Sequence, residues 1–141
     1  MAISSHRSSI NNHLFASCIM ETKDLRIGNY VSYLGEPQKV LGIGEKYIYI
    51  RPYSYLLCVD INEVEPIPIT EEWLKKLGFV IIETNKGIEC FYFGNRYSVF
   101  QPAGKLAWLF VDDEKGLCEV KHVHQLQNLY FSLTGEELKL I

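Results

Sequence analysis

The chain has 141 residues, of which 48% are hydrophobic and 22% are charged, and its formal net charge is −3. This composition is typical of a globular protein with a buried core, and it excludes a chain that is disordered throughout. The length predicts one domain. The negative charge and the lack of a Lys/Arg cluster in the sequence argue against a protein dedicated to the nucleic-acid backbone, which normally carries a basic patch.

The four cysteines lie far apart and form no CxxC pair. Three of them fall in apolar, strand-like stretches, where cysteine usually serves as a small buried hydrophobe. Residues 1–19 lack the apolar run of a secretory signal, and no stretch of the sequence is apolar for the 18 residues that a membrane span needs. We therefore expect a reduced, cytoplasmic protein without a membrane partner.

Residues 1–19 differ from the rest of the chain, because they are rich in Ser, Asn and His and have no sustained hydrophobic period. Two interpretations stay open. Either translation begins at Met20 and the upstream part is a misassigned extension, or residues 1–19 form a flexible arm.

Residues 20–69 predict a β-meander. Short stretches rich in Tyr, Ile and Val alternate with turns that contain Gly, a pattern typical of a small, strongly curled sheet of SH3-like or barrel-like type. The predicted strands cover residues 29–34, 38–43, 46–51 and 55–60.

A short helix is predicted over residues 70–79. Thr70 is a good N-cap, Glu71 and Glu72 lie in the positively polarised first turn, and Gly78 is a typical C-terminal stop. The apolar side chains that we expect this helix to bury are Trp73, Leu74 and Leu77.

Residues 80–141 predict a second antiparallel sheet and an amphipathic helix that covers one of its faces. The strands are expected at residues 80–84, 88–93, 97–101, 105–112 and 117–121. The helix is expected at 123–134, where Gly135 ends it. Its apolar stripe consists of Val123, Leu126, Leu129, Tyr130 and Leu133. Its opposite side is polar but uncharged and consists of His124, Gln125, Gln127, Asn128 and Ser132. Such a side can pack against protein as readily as it can face water.

The chain is therefore predicted to belong to the α+β class, mostly antiparallel, with residues 20–141 forming a single domain. Within it, 20–69 is the meander, 70–79 the short helix, and 80–141 the second sheet with the C-terminal helix packed on it.

Three motifs carry a resemblance: RIGNYV at 26–31, PIPITEEWLKKLGF at 66–79 and VHQLQNLYFSLTGEEL at 123–138. With them, residues 24–140 resemble a group of small uncharacterised proteins encoded by phages, prophages and mobile elements of gut Bacteroidetes-type bacteria. The resemblance implies a mobile-element context in the bacterial cytoplasm. It transfers no catalytic residue, because the group has no established activity.

Residues with catalytic or metal-binding chemistry are few. Cys118, His122 and His124 are residue types that bind zinc, but a helix starting near Val123 would turn His124 away from the other two, so cap or surface roles are favoured for the histidines. The sequence contains no nucleophile elbow or phosphate-binding loop, and no carboxylate pair has a catalytic spacing. We predict no cofactor, no metal and no enzymatic activity.

Two hypotheses for the function remain. The leading one is a non-enzymatic accessory protein that binds a host or phage protein or forms a homodimer. Its predicted surface is the outer side of the helix at 124–132, with His124, Gln127 and Asn128, together with the edge near Tyr53 and Tyr55. The alternative is a small-ligand, nucleotide or single-stranded nucleic-acid binding module, because aromatic side chains on a curled sheet can stack on bases. The residues proposed for that face are Tyr47, Tyr49, Arg51, Tyr53 and Tyr55.

Overall fold

The computed structural model describes residues 20–83, 89–94, 96–113 and 115–141. The predicted extension at 1–19, the predicted turn at 85–87 and parts of the turns at 94–96 and 113–116 lie outside these residues.

Within the described ranges the chain forms eleven strands and two α-helices, which confirms the predicted α+β class with mostly antiparallel sheets. The first six strands are β1 (Tyr30–Tyr33), β2 (Glu36–Lys39), β3 (Gly42–Ile43), β4 (Tyr47–Ile50), β5 (Leu57–Asp60) and β6 (Val64–Glu65). The remaining strands are β7 (Val80–Glu83), β8 (Glu89–Phe93), β9 (Tyr97–Phe100), β10 (Trp108–Asp112) and β11 (Lys115–Val120). The helices are α1 (Glu71–Lys76) and α2 (Val123–Thr134). Neither helix is long and apolar enough to cross a membrane.

The N-terminal half contains two three-stranded sheets, in the orders β2-β1-β6 and β3-β4-β5, and neither closes on itself. The predicted SH3-like or barrel-like closure is therefore not confirmed. The predicted strand at 38–43 is divided because its neighbours change along its length. The Val40 N–H donates to Asn29 O and the Leu41 N–H donates to Tyr49 O, each at 2.8 Å, so the chain passes from one sheet to the other between these two residues.

The C-terminal half is a five-stranded antiparallel sheet in the order β11-β10-β9-β8-β7. Its inner face and both helices enclose the larger hydrophobic core. Fully buried members of this core include Leu74, Phe91, Val99, Phe110 and Leu126. The strands lie beside their sequence neighbours, as predicted, because each hairpin is short enough for adjacent strands to pair.

The first two sheets enclose a second, smaller core. Its members include Val31, Val40, Ile48, Ile50 and Val59. Tyr30 on β1 leaves this core and packs on the larger one, where its ring lies 5.7 Å from that of Trp73. One strand thus has side chains in contact with both cores.

The capping signals of α1 are used as predicted. The Thr70 hydroxyl accepts a hydrogen bond from the Trp73 N–H at 3.2 Å, and Gly78 adopts φ +95°, a left-handed conformation that favours glycine. Trp73, Leu74 and Leu77 are all buried.

Thr70→Ala should lower the free energy of unfolding by about 1 kcal/mol, because the Trp73 N–H then loses its acceptor. Denaturant unfolding at pH 7 measures the change. Thr70→Ser keeps the oxygen and serves as the control. Equal stability of the alanine and serine variants would contradict a capping role.

The predicted helix at 123–134 is confirmed as α2, and Gly135 ends it with φ +76° and an N–H that donates to Phe131 O at 2.8 Å. The predicted apolar stripe is wrong at one position, because Leu133 is 46% exposed. Leu138, which follows the turn at Gly135, is in the core and only 2% exposed.

Candidate functional site

The polar side of α2 meets the segment that leads into β1, and we call this contact the α2 seam (residues 24–30 against Gln127 and Asn128). Gln127 is fully buried there. Its Oε1 accepts from the Tyr30 N–H at 2.9 Å, and its Nε2 donates to Gly28 O at 3.1 Å. The Asn29 side-chain amide also lies within 3.5 Å of Oε1. The Gln127 amide therefore satisfies backbone groups about a hundred residues away in the chain.

Asn128 continues the α2 seam one residue further along the helix. Its Nδ2 donates to Asp24 O at 3.0 Å, and its Oδ1 accepts from Asn29 Nδ2 at 2.9 Å. The guanidinium of Arg26 also donates to Oδ1, at 3.3 Å. Both ends of the Asn128 amide are therefore used within the protein.

Arg26 closes the exposed end of the α2 seam. It forms a salt bridge with Glu137, and its guanidinium carbon lies 3.7 Å from the centre of the Phe131 ring. A guanidinium over an aromatic face is attracted by the ring quadrupole. These contacts tie the N-terminal segment to both the end of α2 and the residues after it.

The prediction that His124, Gln127 and Asn128 face outward to a partner is wrong. His124 and Gln127 are 5% and 0% exposed, and Asn128 is half-buried with its amide fully paired. An uncharged polar side can also pack against protein, as the sequence indicates, and this side of α2 does so. The side packs against this same chain because the segment at 24–30 presents backbone and side-chain groups that pair with the two amides.

His124 sits beside the α2 seam as a buried imidazole. Its Nδ1 has no hydrogen-bond partner among the described residues. Burial lowers the pKa of His124 to about 4, and the neighbouring His122 adds to this effect, while Asp24 opposes it. The two rings stack at 5.8 Å with an angle of 9° between their planes. His124 is therefore neutral at pH 7.

The described residues include no group of three His, Cys, Asp or Glu side chains that could hold a metal ion. Cys118 is exposed on β11, whereas His122 precedes α2 and His124 is buried in it. The parallel stacking of the two imidazoles also sets their planes side by side instead of directing two nitrogens to one point.

A shallow groove of about 370 Å³ lies where the first sheet meets α1. Its floor is formed by Trp73 and three prolines, and Glu65 and His122 are the titratable groups that line it. Burial lowers the pKa of His122. Ser32 also lines the groove, so its polar side chains are one hydroxyl, one exposed carboxylate and one imidazole over an apolar floor.

The outer side of the β3-β4-β5 sheet carries the tyrosines that the sequence singled out, and we call it the tyrosine face. Tyr47 and Tyr49 alternate with the buried Ile48 and Ile50 along β4, and they are 45% and 36% exposed. The neighbouring Cys58 thiol raises the pKa of Tyr49 above its usual value, so its phenol is neutral at pH 7.

Arg51, Tyr53 and Tyr55 lie in the connection that follows β4, and all three are exposed. The Tyr53 and Tyr55 rings, 57% and 54% exposed, lie 5.6 Å apart. The structure therefore brings Tyr47 and Tyr49 together on one face and places the other pair in the adjacent loop.

The outer face of the five-stranded sheet is a second candidate surface, and sequence reasoning missed it. The strand registers place alternate side chains of β7, β8, β9 and β10 on this face. They are Val80, Ile82, Cys90, Tyr92, Ser98, Phe100, Leu109 and Val111. Val80 and Ile82 are 63% and 51% exposed, and the others are half-buried. The signal was present in the sequence, because these strands are apolar at both alternating positions instead of one.

The fold and its surfaces define an α+β protein with three antiparallel sheets in its described residues. No family model, curated protein or solved structure matches the chain. Its function is therefore inferred from the two exposed faces.

Proposed function

We propose that this chain is a non-enzymatic protein-interaction factor that self-associates through the outer face of its five-stranded sheet. We also propose that it is a small accessory factor of phage or mobile-element origin, because its motifs at 26–31, 66–79 and 123–138 resemble those of proteins of that origin. The observation that supports the interaction is the apolar character of a sheet face that no described part of the chain covers.

An antiparallel sheet with one solvated face normally alternates apolar and polar residues. The outer face departs from that rule, since Val80, Ile82, Leu109 and Val111 occupy positions that would face water. Among its described side chains one is charged, Glu119 on the edge strand β11, which pairs with Leu109. A second copy of such a neutral face meets no like charge across the centre of the contact.

The size of the face sets the strength of the association. Five strands about 4.8 Å apart and about 17 Å long cover roughly 400 Å² on each copy. A standard stable interface buries about 800 Å² on each partner. The dimer is therefore transient, with the two sheets stacked about 10 Å apart, and it forms at high protein concentration.

Sedimentation velocity over a concentration series tests this association. The unmodified chain should shift from monomer toward dimer as its concentration rises, and Ile82→Lys should remain monomeric. Ile82 is half exposed, so lysine is tolerated in the monomer but places a charge in the interface. Thermal unfolding of each variant verifies that it is folded.

Cys118→Lys is the matched control. Cys118 is exposed on β11 and pairs with the core residue Phe110, so it belongs to the other side of the same sheet. This variant adds the same charge and should dimerise like the unmodified chain. A monomer at every concentration, or equal behaviour of the two lysine variants, would overturn the proposal.

A further inference from the structure

The tyrosine face is built around two glycines of the neighbouring strand. Gly42 pairs with Tyr49 in the β3–β4 register, and Gly44 follows β3 and donates its N–H to Tyr47 O at 2.7 Å. A Cβ atom at Gly44 would lie 2.7 Å from Cδ2 of Tyr47, and one at Gly42 would lie 3.0 Å from Cδ2 of Tyr49. Each tyrosine ring therefore occupies the space above a glycine.

Backbone geometry does not require glycine at either position, because neither Gly42 nor Gly44 has a positive φ. Their lack of a side chain instead lets the two rings lie against the backbone of β3. A ring held in this way keeps part of its surface in contact with the strand and leaves the remainder exposed. Packing of an aromatic ring over a strand glycine also stabilises a sheet edge.

The two rings project from alternate positions of β4, the central strand of its sheet, so they stand about 7 Å apart. Aromatic side chains at such positions on an open sheet are the usual platform for stacking of unpaired bases. The strand sequence from 46 to 51 places Lys46 directly before Tyr47 and Arg51 directly after Ile50, and both cations are exposed.

We infer that the tyrosine face binds a nucleobase-bearing ligand, with one base stacked on Tyr47 or Tyr49 and a phosphate near Lys46 or Arg51. A mononucleotide and a short single strand share this chemistry. The site is separate from the outer face of the five-stranded sheet, so this inference does not depend on the self-association proposed above.

Charge limits the kind of nucleic acid that can bind. The chain has a formal net charge of −3, and Asp60 pairs with Tyr47 across the sheet, so polyanions are not attracted by a broad basic surface. Two phosphate contacts predict a slope of log K against log salt no steeper than about −1.4 for a single strand. Stacking, and not counterion release, supplies most of the affinity.

Fluorescence anisotropy with a labelled oligo(dT) of about ten nucleotides tests the inference. Competition with AMP distinguishes the two ligand sources. If the site holds one base, AMP displaces the labelled strand. If both rings stack on bases of the strand, AMP does not displace it. Tyr49→Leu should weaken binding about five- to hundredfold, and Tyr49→Phe, which keeps the ring, should restore it.

Phe131→Leu is the matched control, because Phe131 is an exposed aromatic residue on α2 and lies outside both proposed faces. It should leave oligonucleotide binding unchanged. Gly44→Ala is a second variant that alters no tyrosine. Its Cβ displaces the Tyr47 ring from β3, and binding should weaken while thermal unfolding shows a folded chain.

Failure of both oligo(dT) and AMP to bind the unmodified chain would overturn the inference, as would equal losses in Tyr49→Leu and Tyr49→Phe. A slope of log K against log salt much steeper than about −1.4 would also overturn it, because the ligand would then be held by charge at another surface.

Discussion

Gln127→Leu should lower the free energy of unfolding by about 2–5 kcal/mol, because two backbone groups at the α2 seam lose their partners together. Leucine has a similar volume, so the change isolates the amide. The Tyr30 N–H and the Gly28 carbonyl, now held at 2.9 and 3.1 Å by the Gln127 amide, would remain turned toward an apolar side chain. Urea unfolding at pH 7, monitored by tryptophan fluorescence, measures the loss.

Ser132→Ala is the control on the same helix. The Ser132 hydroxyl donates to Asn128 O one turn earlier and is exposed, so its removal should change stability by less than about 0.5 kcal/mol. If Gln127→Leu is as stable as Ser132→Ala, water reaches the α2 seam and replaces the amide.

Gln127→Glu gives a second measure of the same contact. A carboxylate still accepts from the Tyr30 N–H, but its other oxygen meets Gly28 O, which is also an acceptor. The protonated acid can donate there as the amide does. The variant should therefore be least stable at neutral pH and regain stability relative to the unmodified chain as the pH falls, whereas Gln127→Leu should not.

The parts of the fold that depend on local chemistry could be predicted from the sequence. Thr70 and Gly78 bound α1, and Gly135 ends α2, because a cap is formed by residues within one turn of the helix end. The strands of the second sheet could be placed for a related reason. Short hairpins pair each strand with its neighbour in sequence.

Features set by distant partners could not be predicted. The sequence predicts one strand over residues 38–43, yet Val40 and Leu41 bond to different sheets, and nothing near them in sequence specifies this change. The missed strand β6 has two residues and is defined only by its pairing with β1. The closure of a barrel depends on the sum of such pairings.

The candidate surfaces, too, could be predicted where they depend on local sequence and could not where they depend on distant residues. Alternation along β4 was enough to place Tyr47 and Tyr49 on one exposed face. The exposure of the polar side of α2 could not be decided, since Gln127 is buried by Gly28 and Tyr30 from the other end of the chain. For the outer face of the second sheet, apolar residues on both sides of a strand predict burial of both, and only the structure reveals which side lacks a cover.

Acid should weaken the fold through His124 by about 3 kcal/mol between pH 6.5 and pH 4. Burial lowers the pKa of His124 from 6.5 to about 4 in the folded protein. The histidine of the unfolded chain therefore becomes protonated near pH 6.5, whereas His124 of the folded protein becomes protonated only near pH 4. Stability is complete above pH 6.5 and is lost as the pH falls through this window. His122, whose pKa is also lowered by burial, contributes in the same direction.

His124→Leu separates the contribution of His124 to the acid-induced loss of stability from that of the carboxylates, which protonate at lower pH. Leucine places no proton-accepting atom at the position where Nδ1 lacks a partner, so the variant should lose less stability than the unmodified chain between pH 6.5 and pH 4.5. Guanidinium unfolding curves across that range give the difference, and NMR titration identifies the imidazole by the signal absent from the variant. A His124 midpoint near pH 6.5, or parallel stability curves for the two chains, would place this imidazole in water. The stacked pair of His122 and His124 would then have opened.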